Sequence, residues 1–315
     1  MNISKLGIML SSTVVLAIVF VFFGSNLDMD YVIPQRLFRL AAIVLGGICV
    51  ACTSIIFQTI VGNRILTPAI MGYEAVYLLW QALLLFIFGT QGLLWLGLTA
   101  QFFIGIFLML FYSWALHLFL LSRIHKDIFQ LLLFGLIFTM VLGTFTQFIQ
   151  LKISPGEFSV FQALSYTSFN RAQSETLIYA VIMIVFVLWR VFNTLPILDV
   201  LSLGREQAMS LGVDHHHYVK FYLALITVLV VVSTSLIGPT AFMGVFVANI
   251  AYAFAKSYQH KFTLAIGSMV AIAIFLIAQI LVEHIFNYKT TVSILINLIC
   301  GIYFLMLVVR ARDMT

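Results

Sequence analysis

The sequence predicts an all-α integral membrane protein, and three observations lead to that class. Of the 315 residues, 63% are hydrophobic and only 9% are charged. The mean hydropathy is +1.14, whereas soluble globular domains carry about 25% charged residues, so a soluble class is excluded. The apolar runs continue for about 20 residues, which favours helices, because the strands of a membrane barrel alternate over about 10 residues.

Ten apolar runs are predicted to cross the membrane as helices within one domain, residues 1–315. Most are close to the length of about 20 residues that a helix needs to span the hydrocarbon core. A short break at 89–92 divides the third run from the fourth, and Gly238 with Pro239 divides the seventh from the eighth. The first run has no small-residue cleavage site and is interpreted as a retained helix, not a signal peptide. The runs are 6–24, 37–57, 72–90, 93–121, 128–151, 176–193, 220–238, 241–256, 262–282 and 291–309.

The basic residues predict the orientation, because cytoplasmic loops are enriched in Lys and Arg. With the N-terminus inside, eleven basic residues lie inside and five outside, and both termini are cytoplasmic. The inside group is Lys5, Arg64, Arg123, Lys126, Arg190, Arg205, Lys220, Lys256, Lys261, Arg310 and Arg312, and the outside group is Arg36, Arg39, Lys152, Arg171 and Lys289. Because these residues flank the apolar runs, the net charge of +5 does not indicate nucleic acid binding.

The cytoplasmic loop 199–220 is the longest polar passage of the chain. Asp199 or Ser202 can cap a short helix and Gly204 can break one. The loop is predicted to carry a short amphipathic helix that ends at Gly212, where a left-handed residue is favoured. Such a helix either contacts a soluble partner or serves only as a connector.

Two outer segments carry candidate docking groups. Arg36 and Arg39 are three residues apart at the start of the second run, and a guanidinium binds carboxylates well. Anchoring at the membrane interface is the alternative role for this pair. The long amphipathic loop 151–175 is predicted to contain a surface helix near 160–165.

The fifth run carries a polar stripe at helical spacing. Lipid cannot satisfy polar side chains, so the stripe either lines a pathway or bonds to neighbouring helices. Its members are Thr139, Gly143, Thr146, Gln147 and Gln150. No span centre carries a row of Asp, Glu or Lys, and Glu74 and Glu283 lie at span ends, which argues against an ion-coupled transporter.

Several chemistries are disfavoured by the motifs. The sequence contains no P-loop, no H-E-x-x-H and no G-x-S-x-G, so it predicts neither ATP binding through a P-loop nor an enzyme site. Cys49 and Cys52 lie inside an apolar helix and are interpreted as packing residues. The histidines 215–217 point in different directions on a helix and are interpreted as a solvated surface, not a metal site.

Five stretches, in order from about residue 30 to 310, are similar to the motifs of one protein family. Arg36 and Arg39 resemble R-x-P-R, with Phe38 at the proline position. The other four stretches resemble Q…N-P-L-A-x-P-x-x-L-G, L-G-x-x-x-A-x-x-L-G, G-P-I-x-F-V-G and G-x-P-x-F. They are formed in turn by Gln58, Asn63, Pro68 and Gly72; by Leu203, Gly204, Glu206, Ala208, Leu211 and Gly212; by Gly238, Pro239, Phe242 and Gly244; and by Gly301 and Phe304.

Together these motifs resemble the FecCD-type permeases of type II ABC importers for iron-siderophores, haem and vitamin B12. The chain departs from the family pattern at Arg64, at 248–252 and at Tyr303. These departures suit an iron-siderophore permease, for a ferric catecholate or hydroxamate, better than a vitamin B12 one. Haem or vitamin B12 remains the alternative cargo within the family.

The resemblance implies a type II ABC importer permease fold in the bacterial plasma membrane, with no cofactor bound by this chain. It implies a second permease subunit, with a heterodimer favoured over a homodimer, two copies of a cytoplasmic P-loop ATPase that binds ATP and Mg, and an external substrate-binding protein. The cargo would be an Fe(III)-siderophore complex, imported by alternating access. An ion-coupled secondary transporter is the alternative outside this family.

The resemblance also implies roles for individual residues. The ATPase-coupling residues would be Leu203, Gly204, Glu206, Ala208, Leu211 and Gly212. Arg36 and Arg39 would dock glutamates of the binding protein. The translocation path would be lined by Thr139, Gly143, Thr146, Gln147 and Gln150.

Overall fold

The computed structural model describes residues 3–24, 28–123, 128–240 and 243–312, and its regular structure over these ranges is helical. The predicted all-α class is confirmed. The helices are α1 Ile3–Phe22, α2 Val32–Val61, α3 Tyr73–Arg123, α4 Ile128–Gln150, α5 Pro155–Ser165, α6 Ser174–Leu201, α7 Arg205–Ser210, α8 His215–Ile237, α9 Met243–Ala255, α10 His260–Ile280 and α11 Val292–Arg312, with 3-10 turns at Pro68–Met71 and Phe169–Arg171 and a π turn at Leu281–Ile285. Lys126 and Phe242, which the sequence analysis named, lie outside the described residues.

The predicted apolar runs coincide with these helices, and the third and fourth runs both fall within α3. This helix is interrupted at Gly89 (φ 62°) and again at Gly97 (φ 64°). Backbone with positive φ favours glycine because a Cβ would clash there. The break predicted at 89–92 therefore begins where expected, but a second one follows at Gly97. Within the described residues, six helices are long and apolar enough to cross a membrane, and the number of crossings stays a prediction.

The core is built around α2 and α8. The most apolar window of each is 72% buried, whereas that of α4 is only 22% buried. Glycines allow close helix contacts, as is common in membrane bundles. A Cβ at Gly46 would lie 2.5 Å from Ile237, and one at Gly267 would lie 2.6 Å from Ile55. The result is a buried centre with α4 at its edge, presenting much of its surface outward.

Residues 62–72 fold back into the bundle. The chain leaves α2 through Gly62 (φ 67°) and enters the 3-10 turn Pro68–Met71. The Thr139 hydroxyl lies 3.2 Å from the carbonyl oxygen of Ile70, and the Tyr73 hydroxyl lies 2.9 Å from Thr227 Oγ1. Because Thr139 and Thr227 lie near the midpoints of α4 and α8, the first residues of α3 lie at the mid-depth of the bundle.

This depth corrects the prediction for Glu74. The residue does begin a helix, as expected, but that helix begins at mid-depth and not at a membrane surface. Non-helical backbone at membrane depth occurs where it is buried in protein or lines a cavity. The segment before Glu74 is such a case.

Candidate functional site

A cavity of about 500 Å³ lies between α4, the first turns of α3 and the fold-back segment. Its volume is in the range of small-molecule binding sites, roughly 300–1,000 Å³. The polar stripe of α4 lines it, with Thr139, Gly143, Thr146, Gln147 and Gln150 all contributing to its wall. The stripe predicted from helical spacing therefore faces one space, and its role in transport stays a prediction.

The stripe consists of two hydroxyl side chains, two amide side chains and one glycine. The hydroxyl of Thr146 donates to the carbonyl oxygen of Leu142 at 2.8 Å. The Thr139 hydroxyl lies 2.7 Å from the Gly135 oxygen and also contacts the fold-back segment through Ile70. Thr146 is buried, whereas Gln147 is exposed. Thr139 therefore both bonds to neighbouring backbone and lines the cavity.

Glu74 lines the same cavity, although the sequence did not predict it as a site residue. Its Oε1 accepts a hydrogen bond of 2.9 Å from the backbone N–H of Thr240, and the side chain is half-buried. Among the described residues of this wall, Glu74 is the one with a formal charge. The signal that points to it is the closely spaced Gly62, Pro68 and Gly72 just before it, which break the helix and let the chain turn back.

The loop 199–220 carries the predicted short helix, α7, and its boundaries follow from two glycines. Gly204 precedes the helix with φ 99°, and Gly212 follows it with φ 81°. At the C-terminal end, the N–H of Val213 donates to Ala208 O and the N–H of Gly212 donates to Met209 O, both at 3.0 Å. This pair of bonds is the Schellman motif, so the predicted end at Gly212 is confirmed.

The surface of α7 is mixed in character. Ala208 is fully buried against the bundle, whereas Leu203 and Leu211 are 56% and 62% exposed. Glu206 is exposed on the same short helix. A helix held by one small buried residue, with apolar side chains facing water beside it, has the features of a contact surface for a partner.

Neither Asp199 nor Ser202 caps α7, whose N-cap residue is Gly204, so that prediction is wrong. Asp199 lies inside the last turn of α6, and its Oδ1 accepts from the backbone N–H of His260 at 2.8 Å. The ring Nδ1 of His260 lies 2.6 Å from the same oxygen, and its Nε2 lies 2.9 Å from Thr59 Oγ1. One imidazole therefore joins the ends of α2, α6 and α10 close to α7.

The three histidines at 215–217 form the first turn of α8, which Asp214 caps. The Asp214 side chain accepts from the backbone N–H of His217 at 3.1 Å. This hydrogen bond holds the pKa of Asp214 below its usual value. Asp214 and the first two histidines line a second cavity of about 720 Å³, which lies between α7 and the end of α2.

Arg36 does not lie on an exposed rim, so its expected exposure is wrong, and its docking role stays a prediction. It is only 4% exposed, and its guanidinium donates to Glu283 Oε1 at 2.5 Å. It also donates to the carbonyl oxygens of Phe20, Val21 and Phe23, at 2.6 to 3.2 Å. These bonds occupy the donors that a partner carboxylate would need.

Arg39 is more accessible than Arg36. Its side chain is 22% exposed, and its Nη1 lies 4.0 Å from Glu283 Oε2 and 3.4 Å from the Tyr288 hydroxyl. Its docking role stays a prediction.

The loop 151–175, which is predicted to lie outside, contains the predicted surface helix, and this helix begins earlier than expected. Helix α5 begins at Pro155 because Ser154 and Glu157 form a capping box. The N–H of Ser154 donates to Glu157 Oε2 at 2.9 Å, and this bond lowers the pKa of Glu157. Arg171 holds the loop by donating to Ala163 O and Tyr166 O at 2.6 and 3.0 Å.

Comparisons with known proteins agree with this architecture. Residues 2–310 match the model of the FecCD transport family. The chain is 36% identical over 309 residues to the petrobactin import system permease protein YclO of Bacillus subtilis (strain 168), covering 98% of each chain. It is 32% identical over 281 residues to the petrobactin import system permease protein FatC of Bacillus anthracis, covering 89% of this chain and 79% of that protein.

Two solved structures share the fold. One is described as an inward-facing conformation of a metal-chelate type ABC transporter, with a TM-score of 0.84, 18% identity, and coverage of 97% of this chain and 98% of that one. The other is PsaBC from Streptococcus pneumoniae in complex with Fab, with a TM-score of 0.60, 14% identity, and coverage of 86% and 90%. The expectation of an ABC transporter permease fold is confirmed.

Proposed function

The chain belongs to the FecCD transport family, and on that premise we propose that it is the permease subunit of an ATP-driven importer of ferric-siderophore complexes. It is a multi-pass protein of the bacterial plasma membrane. The names of YclO and FatC support a siderophore as the cargo and make ferric petrobactin the first chelate to test. Haem and vitamin B12 remain the alternatives within the family.

The observation that carries the proposal is the polar cavity at mid-depth. The stripe of α4 faces it, and polar groups at this depth are expected to face protein or water. A second permease subunit would close the cavity from the other side, and we favour a heterodimer. Alternating access would then open this space first to the outside and later to the cytoplasm.

The energy would come from a separate ATPase, because this sequence has no P-loop. Helix α7 would lie in a groove of that ATPase, with Ala208 against the bundle and Leu203, Glu206 and Leu211 toward the partner. Closure of the ATPase dimer on ATP would move α7, and hydrolysis with release would reset it. The contacts of His260 with Asp199 and Thr59 would pass this motion to α10 and α2.

An external binding protein would deliver the chelate to the outer face. Arg39 and the α5 loop support this step, since the predicted orientation puts both on the outer side of the membrane. Arg36 would act indirectly by holding α1 against the π turn Leu281–Ile285 through Glu283.

An ion-coupled secondary transporter is the second candidate, and one observation favours it. Glu74 supplies an ionisable group at mid-depth, which such transporters often need. The two candidates differ in their need for ATP.

The test is gentle purification from the native membrane, mass spectrometry of associated proteins, and uptake of ferric petrobactin into sealed vesicles. We expect a P-loop ATPase and a second permease to co-purify, and uptake to require ATP on the cytoplasmic side. A chain that purifies alone and transports in vesicles without ATP would overturn the proposal in favour of the second candidate.

A further inference from the structure

We propose that a small cavity beside Arg171 binds a monatomic anion, chloride. The cavity has a volume of about 30 Å³ and shares no described lining residue with the space along α4. A water molecule needs about 10–15 Å³ of such a space, so there is room for about two waters or for one halide ion. The inference adds a ligand site to the chain and does not depend on the cargo or on its route.

The cavity lies where distant parts of the chain meet. Helix α3 contributes from both sides of its breaks, and the 3-10 turn before α6 and the end of α8 close the space. The described lining contains no Asp or Glu, and its apolar members are Leu and Phe. Its polar members are Tyr77, Gln81, Gln101, Arg171, Thr176 and Ser235.

Arg171 brings a positive charge to the wall of this cavity. Its guanidinium donates to the carbonyl oxygens of Ala163 and Tyr166 at 2.6 and 3.0 Å, and to the Tyr77 hydroxyl at 3.3 Å. All three acceptors are neutral, and the described residues place no carboxylate in salt-bridge contact with Arg171. A guanidinium stays protonated in proteins, and a charge withdrawn from water is costly unless it is paired. The site therefore lacks a counter-ion.

Two further side chains have unused hydrogen-bonding groups at the cavity. The Ser235 hydroxyl oxygen is buried and has no hydrogen-bond partner. Gln81 is only 2% exposed, and its Oε1 also has no partner. Buried polar groups are normally hydrogen-bonded, so two such groups at one small cavity indicate an occupant.

The available protons favour an acceptor as that occupant. The Ser235 hydroxyl can donate, and the Tyr77 hydroxyl, which accepts from Arg171, keeps its own proton to donate. A half-turn of the Gln81 amide would present its NH₂ group in place of Oε1.

Water and a halide ion differ in what they satisfy. Waters would fill the space and pair the hydroxyls, but they would leave the charge of Arg171 uncompensated. A halide accepts from several donors at once and supplies the opposite charge, which counts for more in a medium of lower dielectric constant than bulk water. The residue types around the cavity thus favour the anion.

The bound anion would hold the loop before α6 against α3 and α8. The site also adjoins the break between α8 and α9, because a Cβ added at Gly238 would lie 3.4 Å from Arg171 Nη1. The N–H of Ser168 donates to Ile237 O at 2.8 Å in the same region. Anion binding is therefore expected to appear as a gain in stability.

The test measures thermal unfolding of the full chain, purified in detergent, while chloride replaces gluconate at constant ionic strength. Gluconate is too large for the cavity and keeps charge screening constant. We expect the unfolding midpoint to rise by about 2–4 °C and to saturate, because a ligand that binds only the folded state stabilises it. Bromide should act like chloride, and crystals grown in bromide should show its anomalous signal in contact with Arg171 and Ser235.

Three variants connect the effect to the cavity. Arg171→Gln should abolish the chloride-dependent shift. Ser235→Ala removes one donor and should raise the half-saturating chloride concentration about two- to tenfold. The control is Ser268→Ala in α10, a serine that is also partly buried and whose hydroxyl donates to Leu264 O at 2.9 Å. It should leave the chloride response unchanged.

The outcomes separate an anion from water and from a general salt effect. If chloride and gluconate give the wild type the same midpoint, waters fill the cavity and the inference is overturned. An equal shift in the wild type and in Ser235→Ala would assign the effect to salt elsewhere on the protein, which also overturns it. Because Arg171 also holds the loop through Ala163 and Tyr166, Ser235→Ala decides the question if Arg171→Gln does not fold.

Discussion

His260 Nδ1 lies 2.6 Å from Asp199 Oδ1, so the first residue of α10 is bonded to the last turn of α6. The same carboxylate oxygen accepts the backbone N–H of His260, which is otherwise an unsatisfied donor at a helix start. Only Ser202, Leu203 and Gly204 separate the end of α6 from α7. The contact thus lies beside the segment that we propose to meet the ATPase.

Removing this contact is expected to weaken coupling. Asp199→Ala leaves the His260 donors without their acceptor, which should cost about 1–3 kcal/mol of unfolding free energy. We expect cargo uptake to fall further than ATP hydrolysis, so that fewer chelates enter per ATP. The measurement is the ratio of the two rates in vesicles, with Lys261→Ala, an exposed neighbour in α10, as the control. An unchanged ratio in a less stable variant would mean that the contact is structural only.

A large side chain at Gly212 is expected to prevent association with the ATPase. The φ of 81° already disfavours any L-residue, and no atom lies within 4 Å of an added Cβ, so the bulk of Gly212→Trp would point into the space that a partner needs. Co-purification of the ATPase should be lost while the permease stays folded. The matched control is Gly97→Trp in α3, where φ is also positive (64°) and an added Cβ also meets nothing within 4 Å. Normal uptake by Gly212→Trp would contradict the role given to α7.

Substitutions of Arg36 and Arg39 are expected to differ in how much they destabilise the protein. Arg36→Ala removes a buried guanidinium that pairs with Glu283, whose side chain is 12% exposed, and should destabilise the protein by about 3–5 kcal/mol. Arg39→Ala removes a more exposed and longer pair, so its cost should be below about 1 kcal/mol. Thermal unfolding in detergent checks both values.

Binding of the external substrate-binding protein distinguishes a docking role of Arg39 from the structural role of Arg36. Arg39→Ala should weaken that binding without loss of stability. If Arg39→Ala binds normally, the docking prediction fails for this residue.

Loss of a hydroxyl is expected to slow uptake only on the face of α4 that lines the cavity. Thr146→Val removes a hydroxyl from the cavity wall and should slow uptake about two- to tenfold, the effect of about 0.5–1.5 kcal/mol. Thr144→Val makes the same chemical change two residues away, at an exposed position not among the described lining residues. Initial rates of ferric petrobactin uptake measure both. Equal effects would show that the hydroxyls act on helix stability and not on the path.

The sequence alone was sufficient for the features that depend on neighbouring residues. Apolar runs predicted the helices, because a chain in lipid must satisfy its backbone hydrogen bonds within each segment. Gly204 and Gly212 predicted the limits of α7, since a left-handed residue at a helix end is a local requirement. The stripe of α4 followed from helical periodicity, and its residues share one cavity wall.

Only the tertiary structure decided which groups meet across the chain and at what depth. Arg36 looked like an outer docking cation, but it is buried. Its guanidinium donates a hydrogen bond to Glu283, which lies 247 residues later in the chain. Glu74 looked like a residue at a membrane surface, but the fold-back of residues 62–72 carries it to mid-depth. Asp199 could cap a neighbouring helix, yet it bonds to His260, 61 residues later. Local patterns determine helices because their hydrogen bonds join residues four positions apart, whereas charge partners and depth depend on how distant helices pack, which no short pattern encodes.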